Sequence, residues 1–431
     1  MQRTSSMLRT TESQSSQSSL CTSLPVFSVS LWFAIGAAIA GGVLNAQSQD
    51  WPQFLGPNRN GSIDVPLPAA PKLVEAWRKP LGAGMSAISV SKGRAFTLYT
   101  DDTDDYLVAL DAATGAEVWK VTLGRTHNDT VTNGPGSTPA IAGELVVALG
   151  SGCRLQAFSV ADGRPAWDVD VAAAYKSRFA TRGGCSISPV VHGGLVVLPT
   201  GATDGERLVA FDAATGKPAW SAKGVERSIN TNPSFWNGAD GDQLLYHYMK
   251  APGKSGVSGV NLKDGSTAWS VDAASGMSNT APLPLGAGRI LLQMWSGSAV
   301  FDTSAAGAPR QVWANDELTA LPVPAVYADG HVYGFGGNSA EFFKCVDATS
   351  GTVKWSARIY RGAVILAGRT IVMLSESSGL LRLVAAEPAA YRELTKMAVL
   401  KPGAATLAPP SIAGGLIFVR NLEEIVAVRI Q

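Results

Sequence analysis

The chain has 431 residues, a formal net charge of +1 and only 16% charged residues. Positive and negative side chains nearly cancel and form no basic stripe, which excludes nucleic acid as a partner. The ordinary apolar content excludes disorder for most of the length. Abundant Gly and Pro, frequent Trp and sparse Glu and Lys suit many short strands joined by tight turns.

The N-terminus carries the parts of an export signal. Arg3 and Arg9 sit in a Ser-rich stretch, an apolar run extends from Leu24 to Leu44, and Asn45-Ala46 precede polar Gln47-Ser48-Gln49-Asp50. This order predicts a signal peptide over 1–46, cleaved after Ala46. An uncleaved anchor is the alternative, because the run is nearly long enough to span a bilayer. Cys21 precedes the apolar run and so is misplaced for a lipid anchor. The expected address is the periplasm or the exterior of a bacterial envelope, with membrane contact only through this segment if it stays uncleaved. Residues 47–72 read as an N-terminal extension and 73–431 as one repeat domain.

The repeat shows most clearly in two near copies, Leu107 to Trp119 and Leu208 to Trp220. Each is an apolar strand ending at Asp111 or Asp212, then Thr and Gly (Gly115, Gly216), then Trp119 or Trp220. Weaker copies carry Trp167, Trp269 and Trp355, the last with Asp347 and Gly351, and a loosened one carries Trp313. Trp77 extends the series backwards. The Trp recurs roughly every 40–50 residues, the period of a four-stranded propeller blade.

The spacing inside the motif has a physical cause. The Asp carboxylate accepts backbone N–H bonds within its own turn. Gly supplies the positive φ of a hairpin with a bulge. The chain reverses into an outer strand whose Trp wedges against the next blade, worth about 2–3 kcal/mol per blade. First strands follow Thr138-Pro139 and Ser188-Pro189, with similar units near Ala87, Pro233, Pro282, Pro324, Ala363 and Pro410. The count is eight, with Leu394 in the eighth Trp place. The last unit, Ser411 to Ile430, holds three strands, and Leu73 to Trp77 looks like its missing fourth. The expected fold is all-β: an eight-bladed β-propeller of four-stranded antiparallel blades, closed by an N-terminal strand joining the last blade and leaving no free edge.

The frame Ala-x-Asp-x-x-Thr-Gly-x-x-x-Trp, intact at Ala109 to Trp119 and Ala210 to Trp220, resembles the tryptophan-docking motif of pyrroloquinoline quinone (PQQ) repeat propellers, and the resemblance covers the mature chain. Asp50-Trp51-Pro52-Gln53-Phe54-Leu55-Gly56-Pro57-Asn58-Arg59 is similar to the start of many exported bacterial proteins of this kind. That superfamily includes quinoprotein dehydrogenases, which carry PQQ and calcium in the central funnel, and cofactor-free scaffolds such as the BamB-type outer-membrane assembly factor. Fold alone does not choose between them.

The site chemistry leans away from catalysis. The dehydrogenases typically have an adjacent cysteine pair against the quinone, and this sequence has none. Calcium needs several converging oxygen ligands, and the loops before the first strands offer no carboxylate cluster. His127, His192, His247 and His331 share no metal-ligand spacing. His192 and His331 sit at turns, and His247 in a strand. No catalytic residue and no metal ligand is assigned. Arg125, His127, Asn128, Asp129, Arg182, Asn230, Asn232, Asn279 and Arg361 are candidates to line a polar funnel, against the plainer reading that they close loops between blades by hydrogen bonds. Trp236 and Trp295 fall outside the docking period, as blade packing or as surface anchors. Cys153, Cys185 and Cys345 fit buried free thiols better than a disulfide framework, although export permits one bridge. The leading expectation is a non-catalytic binding or assembly platform without cofactor, partnered by an envelope protein or glycan. The alternatives are a PQQ-dependent dehydrogenase with calcium, and a saccharide or small-ligand binder.

Overall fold

The computed structural model describes residues 50–127, 134–178, 184–222, 225, 227–228, 231–238, 241–251, 254–273, 280–304, 309–404 and 408–431. The leader lies outside them. The described residues form eight antiparallel sheets in chain order around a common centre, with almost no helix. Blades 1 to 8 begin at the short strands Ser89–Ser91, Ala140–Ala142, Val190–His192, Ser234–Gly238, Leu283–Gly286, Val326–Ala328, Gly362–Ala367 and Ser411–Ala413. In most blades the second and third strands are largely apolar and buried on both faces, because both faces meet a neighbouring blade. Blade 8 takes Leu73–Pro80 as its outermost strand, paired antiparallel with Glu424–Ile430.

One contact recurs between blades. Trp77 Nε1 donates to the Ala112 carbonyl at 3.0 Å, Trp119 to Val160 at 3.1 Å, Trp167 to Ala213 at 2.9 Å, and Trp220 to Leu262 at 3.0 Å. Trp313 donates to Ala348 at 3.0 Å and Trp355 to Glu387 at 2.9 Å. In most of these the acceptor is the residue after the turn Asp, Asn or Ser of the next blade. Asp111 Oδ1 accepts from the Thr114 N–H at 2.9 Å and its hydroxyl at 2.8 Å, which fixes the turn and leaves that carbonyl free. Asp212 holds Thr215 in the same way. Trp269 is the exception: it bonds Gln243 Oε1 of its own blade at 2.9 Å.

The turn glycine is demanded twice over. Gly115 has φ +73°, and a Cβ there would lie 2.6 Å from the Trp77 ring. Gly143, with φ +64°, has nothing within 4 Å. Gly115→Ala is therefore expected to cost more than Gly143→Ala, which carries only the left-handed backbone strain of about 1–2 kcal/mol. Urea unfolding of the two variants compares them, and equal losses would refute the ring contact as the reason for glycine.

The segment after the leader is a strap across the inner strands. Trp51 forms a bridge with Val90 of blade 1, the Pro52 carbonyl accepts Ile141 N of blade 2 at 2.8 Å, and Gln53 Oε1 accepts Val191 N of blade 3 at 3.1 Å. Phe54 and Leu55 are buried in one cluster with Ala87, Ala281, Val323, Ala363 and Ala408, which come from the inner ends of blades 1, 5, 6, 7 and 8. Ser62–Ile63 then adds in parallel to Gly362–Ala367 of blade 7.

Arg59, fully buried, supplies what two blades lack. Ser89, Ser234 and Ser411 each donate a hydroxyl to a first-strand carbonyl of the next blade, that of Pro139, Pro282 and Ile88 respectively. Ala140 and Val190 occupy the matching places in blades 2 and 3 and have no hydroxyl. Arg59 donates instead, to the carbonyls of Pro189 and Pro233, both at 3.0 Å. Burial pushes its guanidinium down to about 9, so it keeps its charge at neutral pH.

Candidate functional site

Two regions have the chemistry of a site: the blade ends where first strands begin, which hold the sequence-derived candidates, and the opposite ends near the strap. At the first, side chains pass hydrogen bonds from blade to blade. Thr138 Oγ1 accepts from Ala87 N at 3.1 Å, Ser188 Oγ from Thr138 N at 3.0 Å, and Asn232 Oδ1 from Ser188 N at 2.7 Å. Asn232 thus joins blades 3 and 4.

His127 lies where blades 1 and 2 meet. Its backbone N–H donates to Ser151 Oγ at 2.7 Å, and its Nε2 is buried without a hydrogen-bond partner among the described residues. Behind it Asp105, 1% exposed, accepts from Ser151 N at 2.7 Å and Thr126 Oγ1 at 2.9 Å. Burial pushes this carboxyl above its ordinary value, and the Ser151 and Thr126 bonds pull it back. Arg125 is exposed, 3.7 Å from Asp104. Arg361 belongs to blade 7 and pairs with Glu376 at 2.5 Å; that bond, the largest influence, raises its pKa. Arg125 and His127 end blade 1 and Arg361 opens blade 7, each with its own partners. Asn128, Asp129, Arg182, Asn230 and Asn279 lie outside the described residues.

The cysteine reading needs correction. Cys153 and Cys185 form a disulfide with Cα atoms 5.1 Å apart, and among the described residues only Cys345 is free, and it is buried. Cys153 is in the turn between the second and third strands of blade 2, and Cys185 is in the segment entering blade 3. An antiparallel blade brings those two places to the same end, which spacing along the chain does not show. The Cys185 N–H also bonds the Ser151 carbonyl at 3.0 Å, so the bridge anchors the His127 surroundings.

The described residues show no fit to PQQ with calcium. The bridge joins distant cysteines, not adjacent ones. Thr138, Ser188, Asn232 and Asp105 already accept protein hydrogen bonds. Among the described residues no three of His, Cys, Asp and Glu come together as a metal site.

At the other blade ends, His192 of blade 3 and Asp242 of blade 4 meet, Nε2 to Oδ2, at 2.7 Å. Two clefts flank this pair, about 320 and about 420 Å³. Reading His192 as a solvated turn residue missed it. The available signal was the separation from Asp242, about one blade period. Trp236 is buried between blades 4 and 5, whereas Trp295 is 58% exposed.

A closed ring of eight blades, most of them joined to the next by a turn that receives an outer-strand Trp, defines a PQQ-repeat type of propeller. The family model described as outer membrane protein assembly factor BamB matches residues 71–237 and 176–393, and the chain belongs to this family. The BamB structure from Moraxella catarrhalis superposes with TM-score 0.59 at 13% identity, covering 83% of this chain and 98% of that one. Quinohemoprotein alcohol dehydrogenase ADHIIG from Pseudomonas putida superposes with TM-score 0.62 at 15% identity, covering 88% and 80%. In sequence, ADH-IIG is 31% identical over 157 residues, which are 34% of this chain and 21% of the dehydrogenase. The match therefore spans about a fifth of that relative's length.

Proposed function

We propose that the chain is an exported propeller acting as a non-catalytic binding or assembly platform in the cell envelope, with an envelope protein or glycan as partner and no resident cofactor. The observation that carries this reading is the commitment of the inner polar groups to blade-to-blade bonds, Thr138, Ser188 and Asn232 among them. Such a centre is built for rigidity. Trp295, 58% exposed, and Tyr360, 50% exposed, lie at the blade ends where first strands begin, and exposed aromatics of this kind anchor partners. Of the sequence-derived candidates, Arg125, His127 and Arg361 border the same face.

Native mass spectrometry of the protein from its own cell envelope tests the reading. The expected mass is that of a chain starting at Gln47 plus a stoichiometric partner. A stoichiometric quinone would overturn it. The partial identity to ADH-IIG favours a second reading, a quinoprotein oxidoreductase. Adding PQQ and calcium and assaying dye-linked alcohol oxidation separates the two, because the platform predicts neither turnover nor a change in quinone absorbance.

A further inference from the structure

Arg59 carries a charge that the ring around it does not neutralise. It belongs to the strap across the inner strands and is 0% exposed. A guanidinium has five N–H donors and no acceptor. Nε donates to the Pro233 carbonyl and Nη1 to the Pro189 carbonyl, both at 3.0 Å, and Gln53 Oε1 lies 3.5 Å from Nη1. Nη2 is buried too, and its two hydrogens have no acceptor among the described residues. The hydrogen-bond partners of Arg59 are all neutral, and burial alone moves its pKa, without the pull of a neighbouring carboxylate.

Arg420 of blade 8 shows how this fold completes a buried arginine. It is also 0% exposed, yet Nε donates to the Asn421 carbonyl, Nη1 to Thr97 Oγ1 and the Leu98 carbonyl, and Nη2 to the Gly82 carbonyl. Carbonyl and hydroxyl dipoles stand in for a counter-ion at all three of its nitrogens. Arg59 has such partners at two.

The third nitrogen calls for an acceptor, and charge decides which kind. A water would satisfy the hydrogen bond and leave the buried charge unpaired, which is the costlier defect. An anion answers both. The site suits a small one: Nη2 offers only two hydrogens, too few for the several oxygens of a phosphate or sulfate. The neighbouring strap residues Phe54 and Leu55 pack among alanines and Val323, and the Phe54 ring lies 5.9 Å from the guanidinium carbon. The backbone is also held in a costly shape here. Arg59 has φ +51° and Leu55 φ +61°, left-handed values at residues other than glycine, and such strain gathers at ligand clamps.

We propose that Arg59 Nη2 binds a monatomic anion of chloride size inside the ring, completing the junction of the strap with blades 3 and 4. The site is internal and stands apart from the platform reading, since a partner on the outer surface can be present or absent without changing it.

Anomalous diffraction from crystals of the mature protein tests this, with one set grown in sodium bromide and measured at the bromine edge, and another grown in sodium chloride and measured at long wavelength. A peak in contact with Arg59 Nη2 is expected in at least one. No peak there in either set overturns the proposal, as does a water in that place. In solution, replacing gluconate by chloride at constant sodium is expected to raise the melting temperature by about 2 °C per tenfold increase above the dissociation constant. Arg59→Met removes the charge and is expected to abolish this rise. A flat response in the parent, or the same rise in both proteins, overturns the proposal. Should Arg59→Met fail to fold, the diffraction from the parent decides alone.

Discussion

Trp77→Ala is expected to destabilise the protein by about 4–5 kcal/mol, because this side chain holds the seam at which the ring closes. Trp77 is 9% exposed, and its ring packs against Phe418 with centroids 6.1 Å apart. Truncating a buried Trp removes about 3–5 kcal/mol. The Ala112 carbonyl also loses its donor, at about 1 kcal/mol. The effect should exceed that of an outer-strand Trp elsewhere, since no hairpin turn ties Leu73–Pro80 to blade 8 and it is held there by pairing with Glu424–Ile430 and by this packing. Urea unfolding gives the free-energy change. Trypsin cleavage after Arg78 reports release of the strand. Trp295→Ala, at an exposed position, is the comparison and should stay within about 0.5 kcal/mol of the parent. Equal behaviour of the two variants would remove the seam argument.

The second large effect is a pH dependence with one main source. His247, on the second strand of blade 4, is 3% exposed, and burial pushes its imidazole down to about 4. The unfolded chain binds this proton near pH 6.5, so between about 6.5 and 4 the unfolded state holds more protons than the folded one. Stability is then present above the unfolded value and lost as pH falls through that window, by about 3 kcal/mol. Unfolding at pH 7 and pH 4.5 should show most of this loss in the parent and little of it in His247→Leu. The same loss in both would mean that the histidine is not its source. Asp105 works in the opposite direction, because burial raises its pKa, and its offset is the same in the parent and in His247→Leu, so the comparison of the two isolates the histidine.

What the sequence revealed and what it hid divide along the repeat. The Trp series, the turn Asp and the turn Gly were legible because every blade must solve the same packing problem at the same place. Leu394 and the three-strand last unit pointed to Leu73–Pro80 for the same reason. Arg59 was not legible, since its acceptors are the carbonyls of Pro189 and Pro233, more than a hundred positions away, and its need arises from hydroxyls that Ala140 and Val190 do not have. Asp105 resembles any strand-edge acid until its burial is known. His192 and Asp242 each look like turn residues, and only adjacent blades make them a pair. Arg125 and Arg361 carried site-like chemistry, yet each has a local acidic partner.

The closing strand also dictates an order of assembly. The Arg78 guanidinium bonds Glu424 across 346 positions, and Ser411 reaches Ile88 across 323. A chain made or exported from its N-terminus produces Leu73–Pro80 first and its partner Glu424–Ile430 last. The first strand must wait, with its backbone unpaired, while nearly every blade is completed behind it. Such a long loop closure makes the final step slow, and until then the waiting edge is open to any strand it meets.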